Sequence, residues 1–177
     1  MKIVTVGRGN VGGGLAELWR RAGHDVTELG REGGDASDAD AVLIAVPAGQ
    51  VDDALANVAG LGAAPIIDAT NVIRDPRPEG FDSMAEYIRS KTGAPVAKSF
   101  SANFASIYDK LGEASERPSN VFAADDGARA ATEQLIADAG YEPVYAGDLS
   151  NARAVEDFLG VIFAISKQRG PFFYRIL

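Results

Sequence analysis

The sequence predicts a doubly wound α/β fold, a mostly parallel sheet with helices on both faces. Short β-rich segments alternate with longer helical patterns, which is the signature of βαβ units. Several strand candidates are apolar almost throughout, as strands covered on both faces are. The chain has 177 residues, room for one such domain, spanning 1–177, and little beyond it.

The elements follow in order. Strands are expected at Lys2–Val6, Asp25–Leu29, Ala41–Val46, Ile66–Asp68, Val96–Ser99, Val121–Ala124 and Pro143–Tyr145. Between the first two, Val11, Leu15, Leu18, Trp19 and Ala22 form a helical stripe that Gly23 stops. Further helices are expected over Val51–Val58, Ser83–Ser90 and Gly127–Ala139. The last should run from about Ser150, a candidate N-cap, to Gln168, with Lys167 and Arg169 near its end and Gly170 beyond. Residues 150–177 therefore form a C-terminal helix and tail, too little for a second domain. Gly30–Asp40 and Asp109–Asn120 read as irregular; the second is either a plain surface connection or a mobile loop over a site.

Composition removes several classes of function. Seventeen basic against 25 acidic residues give a net charge of −8, which opposes binding to nucleic acid or to anionic membranes. Any anionic ligand must then be held by a local cluster of cations. The chain has no cysteine and one histidine, so a thiolate nucleophile, a disulfide framework and a Cys- or His-based metal site are not expected. Neither the opening apolar run nor Phe158–Ile165 approaches the ~20 residues that span a bilayer. A cytoplasmic protein is expected.

Directly after the first strand stands Gly7-Arg8-Gly9-Asn10-Val11-Gly12. This is a GxGxxG opening a helix inside a ~30-residue βαβ unit, the context a Rossmann-type dinucleotide site requires. Gly7 suits a tight turn, Gly9 leaves the backbone open to a pyrophosphate, and Gly12 allows the helix to approach the strand. Free N–H groups at the helix start would bind the phosphates.

The second strand ends Glu28-Leu29-Gly30-Arg31. An NAD site usually places an acid near this point to hold the ribose 2′-OH, whereas here Gly30 takes the ribose position and Arg31 follows. With Arg8 from the glycine loop, Arg31 reads as a 2′-phosphate clamp, and hence NADP. The alternative is that Glu28 binds a ribose hydroxyl while Arg31 merely pairs with Glu32. His24 lies in a turn on the opposite edge of the sheet from a ligand site of this fold and reads as a packing residue.

Several stretches resemble the deazaflavin-dependent NADP reductases, which pass hydride between NADP(H) and coenzyme F-420. They are Ile3–Gly12; Ala22-Gly23-His24 with Arg31; Asp40–Pro47; Ile67–Asn71; Lys98-Ser99-Phe100-Ser101; and Gly147–Arg153. The resemblance implies pyrophosphate at Gly7–Gly12 and 2′-phosphate at Arg31 and Arg8. It implies nicotinamide near Ala45, Val46, Pro47, Ala69, Thr70 and Asn71, the hydride partner near Phe100 and Ser101, and a homodimer. Three departures stand out: a short Gly30–Asp40 segment, Gly30 where the family commonly has Ser, and Ser101 where it has Asn or His.

Hydride transfer between two cofactors needs alignment more than proton transfer, so a site poor in acid–base residues suffices. The competing readings are an NADPH-dependent flavin or ferric reductase and a non-catalytic NADP-binding redox sensor. The apolar arc of the last helix and the tail Phe172–Leu177 would be covered by a second subunit or by the chain itself.

Overall fold

The computed structural model describes residues 1–73 and 77–177. In chain order the elements are β1 (Lys2–Val6), α1 (Asn10–Arg21), β2 (Asp25–Leu29), β3 (Gly34–Asp35), β4 (Ala41–Ile44), α2 (Val51–Ala56) and β5 (Val58–Ala59). Then come β6 (Ile66–Asp68), α3 (Met84–Thr92), β7 (Val96–Lys98), β8 (Ser119–Ala124), α4 (Asp126–Asp138), β9 (Glu142–Tyr145) and α5 (Ala152–Arg169). Seven strands form one sheet in the order β2-β1-β4-β6-β7-β8-β9; β3 and β5 form a small second one. The first five strands are parallel, and β8 runs antiparallel to β7.

Strand β1 lies between β2 and β4, so the chain leaves it on one side and returns on the other. That reversal opens a crevice at the carboxyl ends, where ligands of this fold class bind. The register is continuous there: Leu29 opposes Val6, Val6 opposes Ile44, Ile44 opposes Asp68, and Asp68 opposes Lys98. The residues just beyond that row are Gly30, Gly7, Ala45, Ala69 and Ser99. All are small, which leaves the edge of the sheet as a ledge.

Each face of the sheet carries its own core. On one, Leu15, Ala16 and Trp19 of α1 and Ala128, Leu135 and Ile136 of α4 pack on Ile3, Leu43, Ile67 and Ala97. Trp19 is fully buried, and its indole Nε1 donates to the Leu135 carbonyl at 2.8 Å, tying α1 to α4. On the other, Val51 of α2, Met84, Ala85 and Ile88 of α3 and Ala152 of α5 cover Val4, Val6, Val42, Ile44, Ile66 and Val96. These near-continuous apolar strands are what burial on both faces demands.

Several expectations need correction. Asp109–Asn120 is not irregular throughout, because residues 105–113 form 3-10 turns that bury Ile107, Tyr108 and Leu111. Tyr108 packs so closely on α1 that a Cβ on Gly14 would sit 2.7 Å from its ring. Strand β8 starts at Ser119, two residues early: Ser119 and Asn120 are polar yet fully buried, with Asn120 accepting from Ser99 Oγ at 2.8 Å. Ser150 does not cap the last helix but lies in a 3-10 turn over 149–151, where its N–H donates to Asp148 Oδ1 at 3.0 Å. The tail folds onto its own chain: Ser119 N–H donates to the Tyr174 carbonyl, and the rings of Phe172 and Tyr174 meet Phe104 and Phe158. Val161 and Ile165 of α5 remain exposed.

Tyr141 is fully buried and its phenol oxygen has no hydrogen-bond partner among the described residues. Burial raises its pKa far above the ordinary value. Replacing that hydroxyl should cost nothing, whereas a cavity at Trp19 should be expensive. Trp19→Ala is expected to lose about 3–5 kcal/mol of stability, and Tyr141→Phe to leave the urea midpoint unchanged or raised, both read by denaturant unfolding.

Candidate functional site

The glycine loop follows β1 directly. Gly7 has φ +102°, and a Cβ there would run into the Ala45 carbonyl oxygen; one on Gly12 would run into the Gly7 carbonyl. Both positions require glycine, the first for its left-handed backbone and both for close approach. Around Gly9 the space is open, with nothing within 4 Å of where a Cβ would be. Gly9 is also the N-cap of α1 and supplies no side-chain cap, and the first turn carries no acid. The N–H groups of that turn therefore face an open cradle with the positive end of a 12-residue helix behind it. A phosphate fits it by shape and charge.

At the β2 end of the ledge, Arg8 and Arg31 are both exposed. Arg31 does not pair with Glu32. Instead Arg8 Nη1 lies 3.1 Å from Glu32 Oε1. Glu28 Oε1 is paired with Arg20 Nη1 at 2.7 Å. Gly30–Asp40 contains no helix, but its Gly34–Asp35 strand pairs with Val58–Ala59, giving the segment a fixed course.

In the middle of the ledge stand Ala45 and Val46, half-buried, and Pro47, exposed. Beside them Ala69 and Thr70 are buried and Asn71 is half-buried. Asn71 Nδ2 donates to the Ser101 carbonyl at 3.1 Å, tying the end of β6 to the turn after β7. Three buried polar atoms around this tie have no hydrogen-bond partner among the described residues: Thr70 Oγ1, Asn71 Oδ1 and Ser101 Oγ. Buried hydroxyls and amides are seldom left unbonded, so this corner suits a ligand with polar substituents.

Phe100 does not present its ring to the ledge. Its backbone has φ +56°, the one positive value at a non-glycine among the described residues. That turn drives the ring into the core, edge-on to Trp19 at 5.9 Å and Tyr141 at 6.4 Å between centroids. A bulky residue held left-handed stores strain of about 1–3 kcal/mol, a feature that clusters at functional sites. Ser101, the next residue, is buried as well, at 3% exposed.

Beneath the ledge lies a charged network that the sequence reading does not place in the site. Lys98 and Asp68 are both fully buried, with Lys98 Nζ 2.9 Å from Asp68 Oδ2. The same ammonium donates to the Thr70 carbonyl, while Asp68 Oδ1 accepts the Thr70 N–H at 2.8 Å. Glu156 of α5 brings Oε1 to 3.6 Å from Lys98 Nζ and accepts from Met84 N at 2.8 Å and Arg77 Nη2 at 3.1 Å. Two cations and two carboxylates balance, as a buried cluster must. Both backbone groups of Thr70 are held, so the course of Ala69–Asn71 is set from below. The one available signal was an acid and a lysine ending two otherwise apolar strands, Ile66-Ile67-Asp68 and Val96-Ala97-Lys98.

His24 Nε2 meets Asp138 Oδ2 at 2.9 Å in the turn before β2, away from this edge. Among the described residues no group of three or more His, Cys, Asp or Glu could hold a metal, and no helix is long and apolar enough to cross a membrane.

No protein-family model matches the chain, and no curated protein matches it by sequence. Solved structures do match by fold. One from Arthrobacter sp. FB24, provisionally assigned as an F-420-dependent NADP-reductase, is 23% identical with a TM-score of 0.83, covering 100% of this chain and 99% of its own. A hypothetical protein from Sinorhizobium meliloti is 23% identical with a TM-score of 0.65, over 84% of this chain and 85% of its own. A reductive aminase from Aspergillus terreus, solved with NADPH and ethyl levulinate, is 18% identical with a TM-score of 0.65, over 94% of this chain but 61% of its own. The likeness establishes the fold: a doubly wound, mostly parallel sheet of Rossmann type with a C-terminal helix.

Removing one partner of a buried ion pair strands the other. Lys98→Met is expected to lower stability by about 3–5 kcal/mol. The double variant Lys98→Met, Asp68→Asn should regain part of that loss in denaturant unfolding, since no uncompensated carboxylate remains at Asp68.

Proposed function

We propose that this chain is an NADP-dependent oxidoreductase that transfers hydride between NADP(H) and a deazaflavin coenzyme such as F-420. The observation that carries the reading is the continuous ledge from Gly30 to Ser99, with a phosphate cradle at Gly7–Gly12 and two arginines, Arg8 and Arg31, at its adenosine end. The full-length likeness to a structure assigned as an F-420-dependent NADP-reductase supports the same reading.

Bound at this edge, NADPH would supply a hydride with its electron pair to the acceptor ring, and solvent the proton that completes the reduction. The residues of the chain bind and orient. Gly7, Gly9, Asn10, Val11 and Gly12 receive the pyrophosphate at the start of α1, and Arg31 and Arg8 the 2′-phosphate. Ala45, Val46 and Pro47 form the floor for the nicotinamide. Thr70, Asn71 and Ser101 present hydrogen-bonding groups beside it, held by the Lys98–Asp68 pair below. No acid–base residue is required of the protein for this reaction.

A homodimer is part of this reading. Val161 and Ile165 are 54% and 37% exposed on the outer face of α5, and a second copy would cover them. Light scattering is expected to give twice the chain mass at micromolar concentration, and the single-chain mass would overturn the dimer.

Mixing the pure protein with NADPH and oxidised F-420 should bleach both chromophores in a 1:1 ratio. Bleaching with flavin alone would reassign the acceptor, and tight NADPH binding without turnover on either would make the chain a binding module. Loss of charge-assisted hydrogen bonds to a phosphate costs about 1.5–3 kcal/mol. Arg31→Ala is therefore expected to raise the Kd for NADPH at least about tenfold while leaving that for NADH unchanged.

A further inference from the structure

The two cations at the adenosine end are not equivalent. Arg31 is exposed and has no ion-pair partner among the described residues. Arg8 is engaged twice by one carboxylate: Nη1 lies 3.1 Å from Glu32 Oε1, and Nη2 3.3 Å from Glu32 Oε2. This is the two-point fork in which a guanidinium also grips a phosphate. The fork lies directly over Gly30. A Cβ there would sit 2.6 Å from both Arg8 Nη2 and Glu32 Oε2, so any larger residue would push the pair aside. Gly30 is the first residue beyond β2, the strand end where this fold meets the adenosine ribose.

From this geometry we infer that Glu32 is a specificity-determining residue. Its carboxylate occupies, on Arg8, the place a 2′-phosphate would take, and it weakens the binding of phosphorylated cofactor. The inference rests on the NADP reading given above and adds a residue to it.

Both side chains of the pair are about 60% exposed, 59% for Arg8 and 61% for Glu32. A pair so wet is weak, and a phosphate dianion, with more charge and more acceptor oxygens, displaces the carboxylate. Displaced, Glu32 stays tethered two residues from Gly30, where its charge repels the phosphate. A cofactor with a plain 2′-hydroxyl brings no anion to that point and leaves the pair intact. Glu32 therefore lowers the preference for NADPH over NADH without touching NADH. The other acid of this strand end, Glu28, pairs with Arg20 at 2.7 Å rather than with Arg8.

The test compares wild type with Glu32→Gln, an exposed substitution of nearly equal shape. Calorimetric titration uses NADPH, NADH, 2′,5′-ADP and 5′-AMP, so that the adenosine end is also probed without a nicotinamide. Glu32→Gln is expected to tighten NADPH and 2′,5′-ADP by about three- to tenfold and to leave NADH and 5′-AMP unchanged. The gain should shrink as salt is raised from 50 to 500 mM, as screening of an exposed charge requires. An unchanged or weakened NADPH affinity in Glu32→Gln, with wild type still preferring NADPH, would overturn the inference and spare the NADP reading. A selective loss of NADH affinity would overturn it by making Glu32 a ribose ligand. Wild type binding 2′,5′-ADP no better than 5′-AMP would sink the NADP reading itself.

Discussion

The β6–β7 end of the sheet's carboxyl edge depends on one buried ion pair. Lys98 and Asp68 end adjacent parallel strands, have no solvent contact, and between them hold both backbone polar groups of Thr70. Two charges in an apolar layer are tolerable only when fully paired and hydrogen-bonded, and here Glu156 and Arg77 complete the balance. The network reaches four elements: the ends of β6 and β7, the start of α3 through Met84 N, and α5 through Glu156. The C-terminal helix is thereby fastened to the site rather than merely laid against the sheet. A candidate ligand surface of mobile loop ends becomes a surface of fixed direction, and fixed direction is what aligning two rings for hydride transfer demands.

The edge divides into two electrostatic regimes. The β6–β7 end lies over buried, mutually neutralised charge, so its field is steady and little affected by salt. The β1–β2 end is built from exposed arginines and the start of α1, where interactions are individually weak, screened and exchangeable. In a chain of net charge −8 that small cationic region is where an anionic ligand would be drawn in. Rigidity thus lies where orientation matters, and adaptability where recognition of a phosphate matters.

The fold was legible because its signals are local. Apolar runs such as Ala41–Ile44 marked the strands, the stripe ending at Trp19 marked α1, and the glycines after β1 gave the dinucleotide geometry. Boundaries slipped where long-range partners override local polarity. Ser119 and Asn120 read as loop because they are polar, and they are strand because Ser99, Asn103 and the tail satisfy them. The candidate site was legible in part. Its glycines and Arg8 stand in one short motif with Gly30 and Arg31 at the end of the next strand, but the partner of Arg8 is 24 residues away and that of Lys98 is 30 away. The left-handed Phe100 was hidden for another reason: nothing in its residue type announces a positive φ.

The most direct test of the claim that this edge is an NADP site is a crystal structure of the protein with NADPH. The claim predicts pyrophosphate over Gly9 at the start of α1, the 2′-phosphate between Arg8 and Arg31 with Glu32 turned away, and nicotinamide beside Thr70, Asn71 and Ser101. A cofactor bound elsewhere, or bound with its adenosine at the Lys98 end of the ledge, would contradict it.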